Sequence, residues 1–308
     1  MTTIDLSHPP PAPSGVLEAL PRRVTLTLPE LQCVADQAGG APLPFEMLTA
    51  GVEPELDGRL GRTPATVEAE AYAAALASLH DPRSSLARRG LLVDTAMDEG
   101  LLGAVGLLAT PVVALDLDVA AGDTRVKAWH RQHGGAVASL ATADGIVFEL
   151  AWFATERWAD ELALVTVLPE GIVLRCSAVP DQVSLPFALA DAASEAVRSN
   201  RSDLLSVLVA EHSGQTHDGD GRPLPDLEVV ALLSALSTES RGRLRAMVAD
   251  VSGTATSAVG VVSWVLLADG WRTLRPRRAA GLDRVELSRV GPADLALELA
   301  PVLAEVAA

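Results

Sequence analysis

Apolar positions along this chain switch from a helical period to strict alternation, and they do so twice. From Arg22, RRVTLTLPELQCVADQAGG reads as a short β-branched strand that runs straight into a helix, with Thr27 as N-cap and Glu30 completing a capping box. Gly/Pro-rich loops follow. An alanine-rich helix is expected from about Thr66 to Leu79, stopped by Asp81-Pro82. In LARRGLLVDTAMDEGLLGAVGLLATP a Thr95-x-x-Asp98 box opens another helix, setting Leu101, Leu102, Val105 and Leu108 on one face. The period then drops to two: VVALDLDV, DTRVKAWHRQ and GAVASLATADGIVFELAWF alternate like an antiparallel meander. A turn at Asp144-Gly145 in the last of these places Val137, Ser139, Ala141, Ala143, Ile146, Phe148, Leu150 and Trp152 on one mostly apolar face.

The plan then repeats. DLEVVALLSAL at Asp226 to Leu236 matches DEGLLGAVGLL at Asp98 to Leu108, pairing Leu101 with Val229 and Leu108 with Leu236. The strand GRLRAMVADV follows, and the Ala-Asp-Gly of residues 268 to 270 matches that of residues 143 to 145, which makes GVVSWVLLADGWRTLRPR the expected counterpart of the earlier hairpin. Helical segments close both halves, ERWADELALVTVLP from Glu156 and GPADLALELAPVLAEV from Gly291. The expected fold is mixed α/β (α+β): two quasi-equivalent halves, each an antiparallel β-meander with flanking helices, related by a pseudo-twofold. The boundaries are a flexible proline-rich tail over residues 1–21, an N-terminal half over 22–172 and a C-terminal quasi-repeat over 173–308, in one compact unit.

Composition narrows the functional classes. Of 308 residues 49% are hydrophobic and 21% charged, as in a folded globular chain. A net charge of −16 repels a phosphate backbone, which argues against nucleic acid. The longest uncharged runs, Gly100 to Leu115 and Val251 to Ala268, fall short of the roughly 20 apolar residues of a membrane span. The N-terminal MTTIDLSHPPPAPSG has neither the basic nor the apolar region of a secretory signal. Cys33 and Cys176 lack metal-ligand spacing and read as small buried thiols in a reducing, cytoplasmic setting.

Candidate chemistry is sparse. THDGDGRPLPD, Thr216 to Asp226, resembles a metal loop through Asp218 and Asp220, but counting from Asp218 it has Arg222 and Val229 where a calcium loop needs ligands. It reads as a polar excursion with Asp226 capping the next helix; a hydrolase-like site near Asp218 and Asp220 is the alternative. Neither the six histidines, His130-x-x-His133 among them, nor any G-x-S-x-G, P-loop or G-x-G-x-x-G supplies a catalytic, metal or cofactor site. The aromatics are more informative: five of ten are tryptophans, clustered on the meanders. Register through Asp269-Gly270 sets Trp264 opposite Arg275 and puts Trp264, Leu266, Trp271, Thr273 and Arg275 on one face, Trp264 as core with arginine stacked over it. Trp271, Arg272, Arg275 and Arg277, with Trp129 and His130, are the candidate partner-binding residues, because Trp and Arg dominate interface hot spots.

Taken in order, VTLTLPEL, LARRGLL with the helix ending LLATP and the strand VVALDL, RVKAWHRQHGGAVASLATADGIVFELA, and VSLPFALADAA followed by GVVSWVLLADGWRTLRPR resemble the EspG family, ESX (type VII) secretion-associated chaperones of actinobacteria. The resemblance spans roughly residues 22 to 303. It implies a non-enzymatic cytosolic chaperone that binds the apolar tip of helical-hairpin substrates, PE/PPE-like or WXG-like, and keeps them soluble until they meet the secretion machinery. The secretion ATPase would then be an indirect partner. The resemblance also implies a mixed α/β fold with pseudo-twofold halves, and no cofactor.

Overall fold

The first strand, β1 (Arg22–Thr27), passes without a loop into α1 (Leu28–Gln37). The Glu30 N–H donates to Thr27 Oγ1 at 3.4 Å and the Thr27 N–H donates to Glu30 Oε2 at 2.8 Å, the expected reciprocal capping box. Next come α2 (Pro64–Ala77), α3 (Pro82–Arg88), the two-residue strands β2 (Leu92–Val93) and β3 (Ala96–Met97), and α4 (Glu99–Ala109). Asp98 rather than Thr95 caps α4, accepting the Leu101 N–H at 2.9 Å, because Thr95 is spent in the turn between β2 and β3. A meander follows, β4 (Val113–Ala121), β5 (Thr124–His133), β6 (Ala136–Thr142) and β7 (Val147–Ala154), and then α5 (Trp158–Val165).

The series then recurs. A strand, β8 (Gln182–Pro186), again enters a helix directly, α6 (Phe187–Arg198), and α7 (Leu205–Glu211) and β9 (His217–Asp218) lead to α8 (Asp226–Thr238). Pro225 is the N-cap of α8, so Asp226 is its first helical residue and not its cap. The second meander is β10 (Gly242–Asp250), β11 (Ser257–Leu267), β12 (Gly270–Ala279) and β13 (Leu282–Arg289), closed by α9 (Asp294–Val306). This computed structural model describes residues 21–45, 64–253, 256–279 and 281–306, and the expected proline-rich tail lies outside them apart from Pro21.

Two pairings repeat as well: β1 joins β7 antiparallel and β8 joins β13 antiparallel, so each half returns its opening strand to its last one. The match of the two Ala-Asp-Gly segments is corrected. Asp144-Gly145 lies between the third and fourth strands of its meander, whereas Asp269 lies between the second and third and Gly270 opens the third. What they share is turn chemistry, since Gly145 and Gly270 adopt φ of 71° and 127°, open to glycine. The single apolar face expected along Val137 to Trp152 is also too simple. Val137, Ala138, Ser139 and Leu140 are buried consecutively, and Ala151 and Phe153 are buried along with Phe148 and Leu150.

Contacts divide the chain into two compact units, one of Met1–Pro111, Arg131–Leu140 and Ile146–Trp158, the other of Val112–His130, Ala141–Gly145 and Ala159–Ala308. In the first, α1 packs on α3, α4 and β7, burying Leu31, Val34, Leu101, Val105 and Leu150. In the second the strands run β5-β4-β10-β11-β12-β13-β8-β9. There β4 and β10, the opening strands of the two meanders, pair antiparallel over nine residues, Val113↔Asp250 to Ala121↔Gly242. Gly242 is required, because a Cβ there would lie 2.1 Å from the Ala120 carbonyl oxygen.

Register assigns the faces of this sheet. Leu244, Trp264 and Thr273 lie opposite one another in turn and are buried on the side that α9 covers, where Val302 reaches within 2.7 Å of the missing Cβ of Gly260. The other face carries Val265, Arg272, Leu274 and Leu287; Leu287 there joins the buried cluster formed with α6, α7 and α8. Among the described residues no helix is long and apolar enough to cross a membrane. The two cysteines are less enclosed than expected: Cys33 is half-buried and Cys176 exposed, the latter in a stretch without regular structure.

Two outcomes are expected. Gly242→Ala forces β4 and β10 apart and lowers folding stability by about 2–3 kcal/mol, read from urea unfolding followed by circular dichroism; an unchanged midpoint would refute the close approach. Burial pushes the Glu30 carboxyl up, but the Thr27 N–H, the Ser85 hydroxyl, the Arg89 charge and the Thr27 hydroxyl outweigh it and hold the pKa below the ordinary 4.5. A depressed folded pKa stabilises above the unfolded value, and that contribution is lost as pH falls through the folded one. Glu30→Gln should therefore flatten the acid limb of a stability-versus-pH curve below about pH 4.5 while leaving its slope near neutrality unchanged.

Candidate docking surface

The β11–β12 hairpin brings most of the expected partner-binding residues together, in a register displaced by two. Trp264 lies opposite Thr273, Leu266 opposite Trp271 and Leu267 opposite Gly270, so the two-residue connection is Ala268-Asp269. Asp269 is drawn into that connection by Arg272 and Arg289, which both donate to its Oδ2. A displacement of two keeps every side chain on its predicted face, because the strand period is two. Trp264 and Trp271 are buried at 1% and 4% exposure, their ring centroids 6.3 Å apart. The Trp264 indole N–H donates to Glu298 Oε2 at 2.9 Å, the Thr273 hydroxyl donates to that oxygen at 3.1 Å, and Arg275 donates to Oε1 at 2.9 Å. Arg275 thus meets a carboxylate of α9 instead of stacking on the ring.

Arg272 lies on the opposite face and is fully buried. Its guanidinium donates to the Pro180 carbonyl at 2.6 Å, the Val179 carbonyl at 3.2 Å and Asp269 at 2.8 Å, tying the hairpin to the segment before β8. The Trp271 indole N–H donates to the Thr166 carbonyl at 2.9 Å. Both residues expected at a partner surface therefore anchor the fold. Arg277 is exposed and pairs with Glu286 at 2.7 Å. On β5 Trp129 is half-buried and His130 buried, their side chains on opposite sides of the strand.

The Thr216 to Asp226 loop is organised by its own backbone. Asp218 Oδ1 accepts the N–H groups of Asp220 and Arg222, each at 2.9 Å, and the Asp226 carboxylate accepts the Ser213 hydroxyl. Among the described residues no group of three His, Cys, Asp or Glu is placed to hold a metal ion. His133 Nδ1 lies 3.0 Å from the Thr110 carbonyl oxygen.

An apolar trough lies on the other side of the sheet. Small residues on α6 (Ala190, Ala193 and Ser194, followed by Val197) recur at helical spacing and leave a trough of about 530 Å³ between α6 and α8. Its floor is Val265, Leu274 and Val285, and Leu236 of α8 forms the far wall. These four side chains and Val197 are only partly buried, so apolar surface faces the trough. The same sheet face continues to Val261 and Met247, which are 45% and 37% exposed. Arg243 and Arg245 flank it on β10, with Arg243 3.9 Å from Asp118. The sequence reading gave no signal for the trough, because alanines read as filler until their neighbours are known.

Comparisons with known proteins agree with the architecture. No protein-family model matches the chain. No curated protein matches it either. Among solved structures, the fold is similar to that of the Mycobacterium tuberculosis type VII secretion system chaperone EspG5, determined in complex with the PE25-PPE41 dimer. The TM-score is 0.58 at 13% sequence identity, covering 92% of this chain and 96% of that one. The fold is EspG-like. At this identity the likeness concerns the path of the chain, not its binding residues.

Burial separates anchors from surface residues. Arg272→Met removes the donor to two carbonyls and leaves Asp269 with Arg289 alone, and should cost about 3–5 kcal/mol of stability, whereas Arg277→Met removes an exposed pair and should cost under about 1 kcal/mol. Chemical denaturation of both variants checks this; equal effects would contradict the placement of Arg272.

Proposed function

We propose that this chain is a cytoplasmic, non-enzymatic chaperone of a type VII (ESX) secretion system that binds helical-hairpin substrates and keeps them soluble for export. The observation that carries this reading is the apolar trough between α6 and α8, on a fold similar to a chaperone solved with a PE-PPE dimer. An exposed helical tip has few apolar residues at i, i+3 and i+4, and a trough with an apolar floor and polar ends receives that pattern while excluding water. The floor supplies Val265, Leu274 and Val285, the walls Val197 and Leu236, and Ser194 and Ser237 add hydroxyls at the sides. A limited apolar area keeps binding reversible, as handing a client to the secretion machinery requires. The net charge of −16 favours solubility beside such clients.

In this reading the partner residues lie at the trough, and Arg275 and Arg277 stand outside it on the β12 arm. Trp271, Arg272 and His130 act through the fold. The two halves, 22–172 and 173–308, are proposed as one binding body whose client faces the C-terminal half. Substrates of PE/PPE or WXG type are the expected clients, and the Thr216 to Asp226 loop, close in sequence to α8, tunes the choice among them.

Co-expression with a helical-hairpin protein encoded beside this chain should give a complex with one chaperone per hairpin unit. Val197→Asp and Val285→Asp each place a charge against the apolar floor and should weaken binding by at least about tenfold, with an unchanged circular dichroism spectrum. Full binding by both folded variants would remove the trough as the site, and failure of every neighbouring hairpin protein to copurify would remove the function.

A further inference from the structure

Six arginines stand on β12 and β13, and five of them have a carboxylate partner. Arg272 and Arg289 share Asp269, Arg275 meets Glu298, Arg277 meets Glu286 and Arg278 meets Asp283. Arg284 forms no ion pair among the described residues. Its guanidinium instead donates from Nε to Ser184 Oγ at 2.8 Å, and from Nη2 to the Ser184 carbonyl at 2.9 Å, the Gln215 carbonyl at 2.8 Å and His217 Nδ1 at 3.1 Å. These neutral acceptors fix the side chain without balancing its charge, and they leave Nη1 with no protein partner among the described residues. A guanidinium can only donate, so His217 Nδ1 accepts and the ring proton sits on Nε2, which has no protein partner either.

Register turns these groups to one face of the sheet. Leu282, Arg284 and Glu286 alternate along β13, Arg277 lies opposite Arg284, and Ser184 of β8 lies opposite both Glu286 and His217. A groove of about 550 Å³ opens there, walled by the segment from Gly214 to Gly221. Arg284, His217 and Gln182 line it with N–H donors, while Ala279 and Leu282, the latter 52% exposed, give it an apolar end. Two carboxylates line it as well, and both are engaged: Glu286 pairs with Arg277 at 2.7 Å, and Asp218 Oδ1 accepts the N–H groups of Asp220 and Arg222 at 2.9 Å each. A cation without a counter-ion and the donors beside it remain at the polar end.

We propose that this groove binds a carboxylate carried on a short apolar body, with Arg284 and His217 holding the carboxylate and Leu282 and Ala279 the body. The ligand supplies the counter-ion that the protein does not, and a charge-assisted hydrogen bond from a half-buried guanidinium is of the stronger kind. The His217 ring adds a second donor, and the Gln182 amide a third at the rim. A free aliphatic acid and the C-terminus of a polypeptide ending in an apolar residue share this chemistry. The trough between α6 and α8 lies on the other face of the sheet, so the site stands independently of the chaperone reading.

The test titrates the full ¹⁵N-labelled chain with hexanoate and, separately, with the peptide acetyl-Gly-Ala-Leu bearing a free C-terminus, each beside its amide. At least one acid should shift the Arg284 Nε–H and Gly219 amide resonances, and its amide should bind at least about tenfold more weakly. Which acid binds more tightly tells a free acid from a chain terminus. Gln182→Glu puts a carboxylate at the rim without removing a hydrogen bond of the fold, and should weaken the acid to a similar extent by like-charge repulsion. Val197→Asp, in the trough, should leave acid binding unchanged, which separates a failure here from a failure of the chaperone reading. No shift with either acid at tens of millimolar, equal binding of acid and amide, or full binding by folded Gln182→Glu would overturn the proposal.

Discussion

The nine-residue ladder between β4 and β10 is the constraint on which the larger unit depends. It joins the opening strands of two meanders far apart in sequence, and it closes only because residue 242 has no side chain to strike the Ala120 carbonyl. A pairing this long leaves no freedom of register: a slip by one would turn Leu244, Ala246 and Val248 away from the buried side. Once β10 is placed, β11 follows by its own ladder and α9 can cross at Gly260, where a second missing Cβ admits Val302. Two glycines at close approaches thus set where the sheet is joined and where its covering helix lies.

Charged groups finish the packing that few aromatics could complete. Glu298 of α9 gathers an indole N–H, a hydroxyl and a guanidinium, so the buried tryptophan has its partner and the helix is held at one angle. Arg272 does the same for the opposite face, reaching carbonyls of a segment that has no regular structure to satisfy them. These are long-range partnerships between residues whose types suggest surface. They explain why arginines that read as a hot spot serve partly as internal braces, while the apolar trough between α6 and α8 is made of alanine, valine and leucine.

The α6–α8 trough lies on the face of the larger unit's sheet opposite the one that α9 covers. Its floor is the apolar surface of Val265, Leu274 and Val285, left open because α6 carries alanine and serine there.

Much of this was legible in the chain itself. Strands and helices follow from the local period of apolar residues, so the capping box of α1, the alternation of both meanders and the recurrence of their order could be read directly. The shared face of Trp264, Leu266, Trp271 and Thr273 survived a register error of two because alternation is blind to such a shift. Sequence could not say which side of a strand would be covered, because burial depends on what another part of the chain brings there. Val137 to Leu140 became buried on both sides, and Trp271 and Arg272 were taken inside by Thr166 and Pro180, about a hundred residues away. The trough is tertiary in the same sense: it is space left by small side chains between two helices.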